Sequence, residues 1–259
     1  MQITKVKQHY IDWGDSSLEQ FIAAYRVTPK ASLRKLLIES INMQTNDEWL
    51  AARHGHITAS NMSKFLSGGR SKTENLGETS KGIINKYMQE LRDPCFDDME
   101  SKVETYQMKQ GLIFEKRAIE LFEKAINAKV NTDIGFISEE INGINFGVSL
   151  DGHIGEEDEI DAIVEVKCRT GAEYLAEREK LGNKETIDQM QGGMTIAKCP
   201  RAFMVLYDIA NDRIQYLKWT RGLEFAKRLQ DQIVFAKNYI ARQSEFDQYI
   251  NLTDKIMSE

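Results

Sequence analysis

Cysteine is scarce in this sequence: three in 259 residues, Cys95, Cys168 and Cys199, widely spaced and odd in number. That excludes a disulfide framework and a cysteine-based metal motif, and makes a reducing cytoplasm the expected compartment. Long apolar runs are also missing, since no stretch approaches the roughly 20 residues a membrane helix needs. The amino terminus, Met1-Gln2-Ile3-Thr4-Lys5-Val6-Lys7-Gln8-His9, carries no apolar signal-peptide core. Nor is there a basic excess: 34 Lys and Arg against 40 Asp and Glu give a net charge of −6. That balance is no signature of a nucleic-acid binder, but a local basic groove decides that matter, and metal-using enzymes need acidic residues. What remains is a composition 41% hydrophobic and 29% charged, that of a soluble globular protein with a sizeable core. There is no internal repeat or low-complexity segment.

Residues 1–45 read as a small helical extension and residues 46–259 as the main domain. Helical periodicity runs from Leu18 to Tyr25, with Ser16 or Ser17 as cap, and a second helix opens at Thr28-Pro29 and continues to Ile41. The pair fits an ordinary packing hairpin, with a DNA-binding helix-turn-helix as the other reading. Asp47 and Gly55 bound a short helix containing Arg53. Thr58 and Ser60 precede another. A hydroxyl pair at a helix start with a nearby guanidinium can hold an anion, although a plain cap explains the same spacing. Gly68 to Glu78 is a polar loop in which Arg70 and Lys72 could touch a phosphate backbone, but it lacks the order of a phosphate-binding P-loop.

The segment from about Glu104 to Ala128 is helical, and it puts Glu115 on the apolar face with Ala118, Ile119 and Phe122. Two strands joined at Asn142-Gly143 follow, the second running into Asp151. The next strand, Ile160 to Cys168, alternates Val164, Val166 and Cys168 on one face with Ile163, Glu165 and Lys167 on the other, as in a strand buried between two layers. A polar segment precedes a helix near Lys184 to Ala197, which carries Gln189, Gln191 and the pair Gly192-Gly193. Two more strands, Ala202–Tyr207 and Ile214–Trp219, lead to a terminal helix from Gly222. Interspersed strands and helices indicate α/β or α+β architecture.

Buried charges are costly unless paired or bound to a metal. Glu115, Asp151, Glu165 and Lys167 therefore stand out. Asp151 and Glu165, on adjacent strand ends, can share one hard divalent cation, with Glu115 nearby. A structural Glu165–Lys167 ion pair with Asp151 capping a turn is the other reading. Taken jointly, Asp, a strand turn and Glu-x-Lys point to metal-dependent cleavage of a phosphodiester.

These residues resemble the PD-(D/E)xK nuclease superfamily, and the surrounding motifs are similar to its lambda-exonuclease branch, also called YqaJ-type viral recombinases. The motifs are Trp49-x-x-x-Arg53-x-Gly55-x-Ile57-Thr58-Ala59-Ser60, Gly111-x-x-x-Glu115, Ser149-x-Asp151-Gly152, Val164-Glu165-Val166-Lys167-Cys168 and Gln189-x-Gln191, spanning roughly residues 47 to 220. Leu150 stands where the superfamily name has proline. The resemblance implies a central mixed β-sheet flanked by helices. It implies Mg2+, with Mn2+ as substitute, on Asp151, Glu165 and Glu115 with the Val166 carbonyl. Lys167 would be catalytic, with Gln191 or Gln189 orienting it or the water, and Arg53, Ser60 and Thr58 would hold a 5′-phosphate. It further implies 5′-to-3′ degradation of one strand of duplex DNA from its end, leaving a 3′ overhang for a single-strand annealing protein in phage-type recombination. A ring-shaped homotrimer in the bacterial host cytoplasm, with no membrane partner, completes the expectation. A restriction-type endonuclease and a catalytically silent DNA-binding subunit are the alternatives. Three scattered cysteines exclude an iron–sulfur nuclease of the helicase-associated kind.

Overall fold

The computed structural model describes residues 1–5, 9–12, 18–28, 30–39, 42–45, 47–69, 75–93 and 106–258. The expectations placed on Ser16, Ser17, Pro29, Arg70, Lys72, Cys95 and Glu104 lie outside the described residues. The elements in chain order are β1 (Gln2–Thr4), β2 (His9–Asp12), α1 (Leu18–Val27), α2 (Ala31–Glu39), β3 (Asn42–Thr45), α3 (Asp47–Arg53), β4 (Ile57–Thr58), a 3-10 turn (Ala59–Asn61) and α4 (Met62–Phe65). There follow α5 (Glu78–Arg92), α6 (Tyr106–Ile126), β5 (Phe136–Ile141), β6 (Ile144–Ser149), β7 (Gly152–Gly155) and β8 (Ile160–Arg169). The chain ends with α7 (Gly171–Lys180), α8 (Lys184–Ile196), β9 (Arg201–Asp208), β10 (Arg213–Thr220) and α9 (Leu223–Ser258).

Hydrogen bonding divides the expected central sheet into two four-stranded sheets, ordered β1-β5-β6-β4 and β10-β9-β8-β7, with β2 and β3 forming a separate pair. Both large sheets are mixed: β4 runs parallel to β6 and β8 parallel to β9, while their other pairs are antiparallel. The chain crosses from one sheet to the other at Leu150-Asp151, between β6 and β7. The β5–β6 hairpin turns at Asn142 and Gly143, both with positive φ (52° and 82°), the geometry that gives Asn-Gly its place in tight hairpins.

Strand β8 is covered on both faces. Ala162, Val164, Val166 and Cys168 pack with Phe114, Phe122, Val205 and Tyr207, and α6 closes that side. Ile163 faces the other way, into a core with Met62, Phe65, Phe146, Met194, Met204 and Leu229. The glycine pair of α8 serves this packing. A Cβ at Gly192 would lie 2.8 Å from Met62 Cε, and one at Gly193 would lie 2.6 Å from Ile163 Cδ1.

The extension is not purely helical. β1 pairs with β5, and Tyr25 of α1 and Ile38 of α2 are buried with Phe114 in the α6-side core. The polar segment after Lys167 contains a helix, α7, in which Tyr174 is the buried residue. No helix among the described residues is long and apolar enough to cross a membrane.

Gly147 of β6 is a test of how closely this layering is packed, because an added Cβ would enter the ring of Phe136 on β5. Gly147→Ala is expected to lower unfolding free energy by about 1–3 kcal/mol through overpacking, measured by urea denaturation.

Candidate active site

The end of β7 opens the site. The last β7–β8 pair is Gly152 with Val164, yet β8 continues to Arg169 beside β9. Beyond that pair the two sheets diverge, and Asp151 sits in the fork. Its carboxylate Oδ2 accepts the Val166 N–H at 2.7 Å, a backbone group that β7 no longer reaches. On the α8-facing side of β8, Lys167 Nζ donates to Glu165 Oε1 at 2.6 Å, and Gln189 Nε2 of α8 donates to the same oxygen at 3.1 Å. Glu115 approaches from α6, the layer on the opposite face of β8.

These groups line one cleft of about 480 Å3 with Arg53, Thr58, Ser60, Ser149 and Arg169. Its far wall is built by α3 and β4. The α3 C-terminus is fixed to α5, since Gly55 (φ 69°) donates its N–H to the Glu90 carboxylate at 2.9 Å and the His54 ring bonds the Glu90 carbonyl at 2.8 Å. Arg53 then lies over the Trp49 ring, 4.3 Å from its centre, and donates to Ser149 Oγ at 2.9 Å. Pairing of Thr58 with Gly147 sets the hydroxyls beside β6. Thr58 Oγ1 and Ser60 Oγ are 3.0 Å apart, and Thr58 makes no side-chain cap bond to the turn that follows. The plain-cap reading of that hydroxyl therefore does not hold.

Gln191 is the exception among the expected residues. Its Nε2 donates to the Thr220 carbonyl and its Oε1 accepts the Gly222 N–H, both at 2.8 Å, and it lies outside the cleft lining. Two residues apart on a helix means about 200° of rotation, so only one of Gln189 and Gln191 can face β8, and it is Gln189. Ser149 and Trp49 stand in the sequence motifs without a role assigned to them, although each was within reach of periodicity. Ser149 stands two residues before Asp151 along the chain, and Trp49 is one helical turn before Arg53.

Charge in the cleft is under tension. Burial, reinforced by the neighbouring Glu165, pushes the Asp151 carboxyl up to about 7. Burial and the charges of Asp151 and Glu165 raise Glu115 well above the carboxylate range. Glu165 keeps the Lys167 ammonium protonated, raising it against the effect of burial. Desolvation lowers Arg53 to about 10, which leaves it charged at neutral pH. Crowded carboxylates that resist ionising together form an oxygen donor set suited to a hard divalent cation. Among the described residues, no three Asp, Glu, His or Cys side chains are arranged as a ready-made metal cage. The layering accounts for this, because Glu115 comes from one side of β8 and Glu165 from the other.

Residues 48–200 match the family described as the YqaJ-like viral recombinase domain. The chain belongs to that family. The matched region holds every motif of the cleft, from Trp49 to Gln189. Solved structures share the fold. LHK-Exo in complex with dAMP is 18% identical with a TM-score of 0.60, covering 82% of this chain and 100% of that one. The alkaline exonuclease LHK-Exo from Laribacter hongkongensis is 19% identical at 0.58, with the same coverage. A phage-related exonuclease from Haemophilus somnus 129PT is 17% identical at 0.53, covering 76% of this chain and 96% of that one. No curated protein matches the sequence. This family member therefore has an α/β fold shared with exonucleases, its sheets flanked by helices.

Raised carboxyl pKa values make a specific demand on stability. The folded chain holds the Asp151 proton up to about pH 7, against an ordinary value of 3.8. The folded state thus binds the extra proton, and stability from this group is full below about pH 4 and is lost as pH rises through about 7. In EDTA at pH 8, Asp151→Asn is expected to stabilise the protein, on the order of 1–3 kcal/mol. Thermal melts at pH 5 and pH 8 check this: the gain should shrink at pH 5, and a gain equal at both values would contradict it.

Proposed function

We propose that the protein is a Mg2+-dependent exonuclease that removes nucleotides 5′ to 3′ from one strand of double-stranded DNA. The observation that carries the reading is one cleft with two chemically different ends. Arg53, Thr58 and Ser60 form an end suited to a phosphate monoester, and Asp151, Glu165 and Lys167 form an acidic end suited to a cation and a scissile phosphodiester. An enzyme that measures its cut from a strand terminus needs both in one pocket.

Asp151 and Glu165 would hold the cation, with the Val166 carbonyl and Glu115 contributing. Bound there, Mg2+, or Mn2+ in its place, would polarise the phosphodiester and lower the pKa of a water ligand. Lys167 is charged at neutral pH, so its role is to position the attacking water and to stabilise the charge that develops on phosphorus-bound oxygen. Gln189 holds Glu165 from α8 and fixes that carboxylate's orientation. Arg53, stacked on Trp49 and braced by Ser149, presents its guanidinium in a fixed plane, as bidentate phosphate recognition requires. The product would be a 3′ single-stranded overhang for an annealing protein in phage-type recombination. A ring-shaped homotrimer in the host cytoplasm is part of the same reading.

Duplexes labelled at either end, with and without a 5′-phosphate, test it directly. Loss of label from the 5′ end in Mg2+, dependence on the 5′-phosphate, and resistance of closed circular duplex are expected. Cutting of closed circles would indicate the restriction-type alternative, and binding without any cleavage would indicate a silent DNA-binding subunit. Lys167→Ala is expected to slow cleavage at least about 100-fold, read in single-turnover assays. Arg53→Ala is expected to remove most of the preference for 5′-phosphorylated over 5′-hydroxyl ends, read as the ratio of the two rates.

A further inference from the structure

A second cavity of about 560 Å3 adjoins the catalytic cleft, and Gln107 of α6 lines both. The two also meet just past β8, where its last residue Arg169 lines the first and the next residue, Thr170, lines the second. Its volume lies in the range of small-molecule sites. Part of its wall comes from α1 and α2, which precede the family-matched region 48–200.

Three features of the wall favour an anion. Arg34 and Lys35 of α2 line it. Arg34 is held in place by Nε donating to the Thr28 carbonyl at 2.6 Å and by stacking 5.4 Å above the Tyr25 ring. Lys35 pairs with Glu39 at 3.6 Å across an exposed helical turn, a weak contact. Second, α7 begins at the cavity with no side-chain cap from Thr170, so its first backbone N–H groups have no partner from that residue. The backbone is open there, because a Cβ on Gly171 (φ 56°) would meet nothing within 4 Å. Third, Tyr25 and Tyr106 both line the cavity, Tyr25 only 1% exposed, and their phenol hydroxyls lie beside each other, putting O–H donors in the wall. Glu173, also in the wall, is the opposing charge.

We propose that this second cavity is a phosphate subsite that binds the nucleotide chain next to the scissile position, with Arg34, Lys35 and the α7 amino terminus as its ligands. The proposal rests on the nuclease reading of the adjoining cleft. A phosphodiester of the strand being cut and a released nucleoside monophosphate share the relevant chemistry, and the continuity of the two cavities accommodates either.

The test uses the full chain in EDTA, where binding is read without cleavage. The probes are a 3′-fluorescein single-stranded oligonucleotide, followed by anisotropy, and dAMP as its competitor. The variants are Arg34→Gln/Lys35→Gln and Ala31→Glu. Ala31 is exposed at the start of α2, where an acidic residue suits the helix dipole, so the second variant folds while adding negative charge to the cavity rim. A tenfold or larger loss of oligonucleotide affinity in both variants is expected if the strand occupies the site. Unchanged oligonucleotide affinity with tenfold weaker dAMP competition would put the released mononucleotide in the cavity and overturn the strand as its occupant. Both affinities within twofold of the unmodified chain would overturn the proposal. Cleavage of the linear duplex by the unmodified protein in Mg2+ is scored separately. Its absence would overturn the nuclease reading while leaving the binding comparison interpretable.

Discussion

The hydrogen bond from the Val166 N–H to the Asp151 carboxylate holds the active-site region together. The chain leaves one sheet at Ser149 and enters the other at Gly152, and two sheets that diverge must leave backbone groups uncovered in the fork. Buried backbone donors without partners cost about 1–3 kcal/mol each. Asp151 answers that demand for β8, but only by bringing a carboxylate into a desolvated position next to Glu165. Its raised proton affinity is the consequence. The same bond thus fixes the junction of the sheets and creates a local need for positive charge. Lys167 meets part of that need at Glu165, while among the described residues no ion pair of comparable closeness serves Glu115 or Asp151.

The two-sided burial of β8 gives the site its asymmetry. With Val164, Val166 and Cys168 committed to the α6 core, Glu165 and Lys167 must face α8. Glu115 then reaches the cleft around the end of the sheet from the α6 layer. Carboxylates arriving from two layers do not close into a cage. Such a set suits a cation that keeps several waters and substrate oxygens, which is the habit of Mg2+. It suits Zn2+ poorly, because structural zinc sites close a four-coordinate shell of nitrogen and sulfur.

Much of this was legible because period and chemistry disagreed at a few positions. Alternation along Ile160–Cys168 required two buried faces, and the charges on one of them marked the site. Glu115 betrayed itself by lying on an apolar helical face, and Asn142-Gly143 by its turn chemistry. Other features left no such mark. Choosing between Gln189 and Gln191 depends on the rotational phase of α8 against β8, which is set by Met62 and Ile163 pressing on Gly192 and Gly193. That is a property of packing between distant segments. α7 was hidden because Tyr174 alone anchors it, too little for a periodic signal. β1 is three residues long, and its strand character comes from the partner β5.

Helix α1 is fastened to the core by charge as well as by packing. Asp212, in the turn between β9 and β10 at φ 49°, receives Arg26 of α1 at 2.9 Å, Arg117 of α6 at 2.8 Å and the Tyr207 hydroxyl at 2.7 Å. These partners, Arg117 foremost, hold its carboxyl well below the ordinary range. One carboxylate therefore ties α1, α6 and the β9–β10 turn together, while Tyr25 of α1 and Ile38 of α2 are buried in the α6-side core. Substitutions in α2 would alter what enters the second cavity while leaving the carboxylates of the cleft in place. The carboxylates of β7–β8 and the basic wall of the second cavity thus come from different parts of the chain, Asp151 and Glu165 from one and Arg34 and Lys35 of α2 from the other.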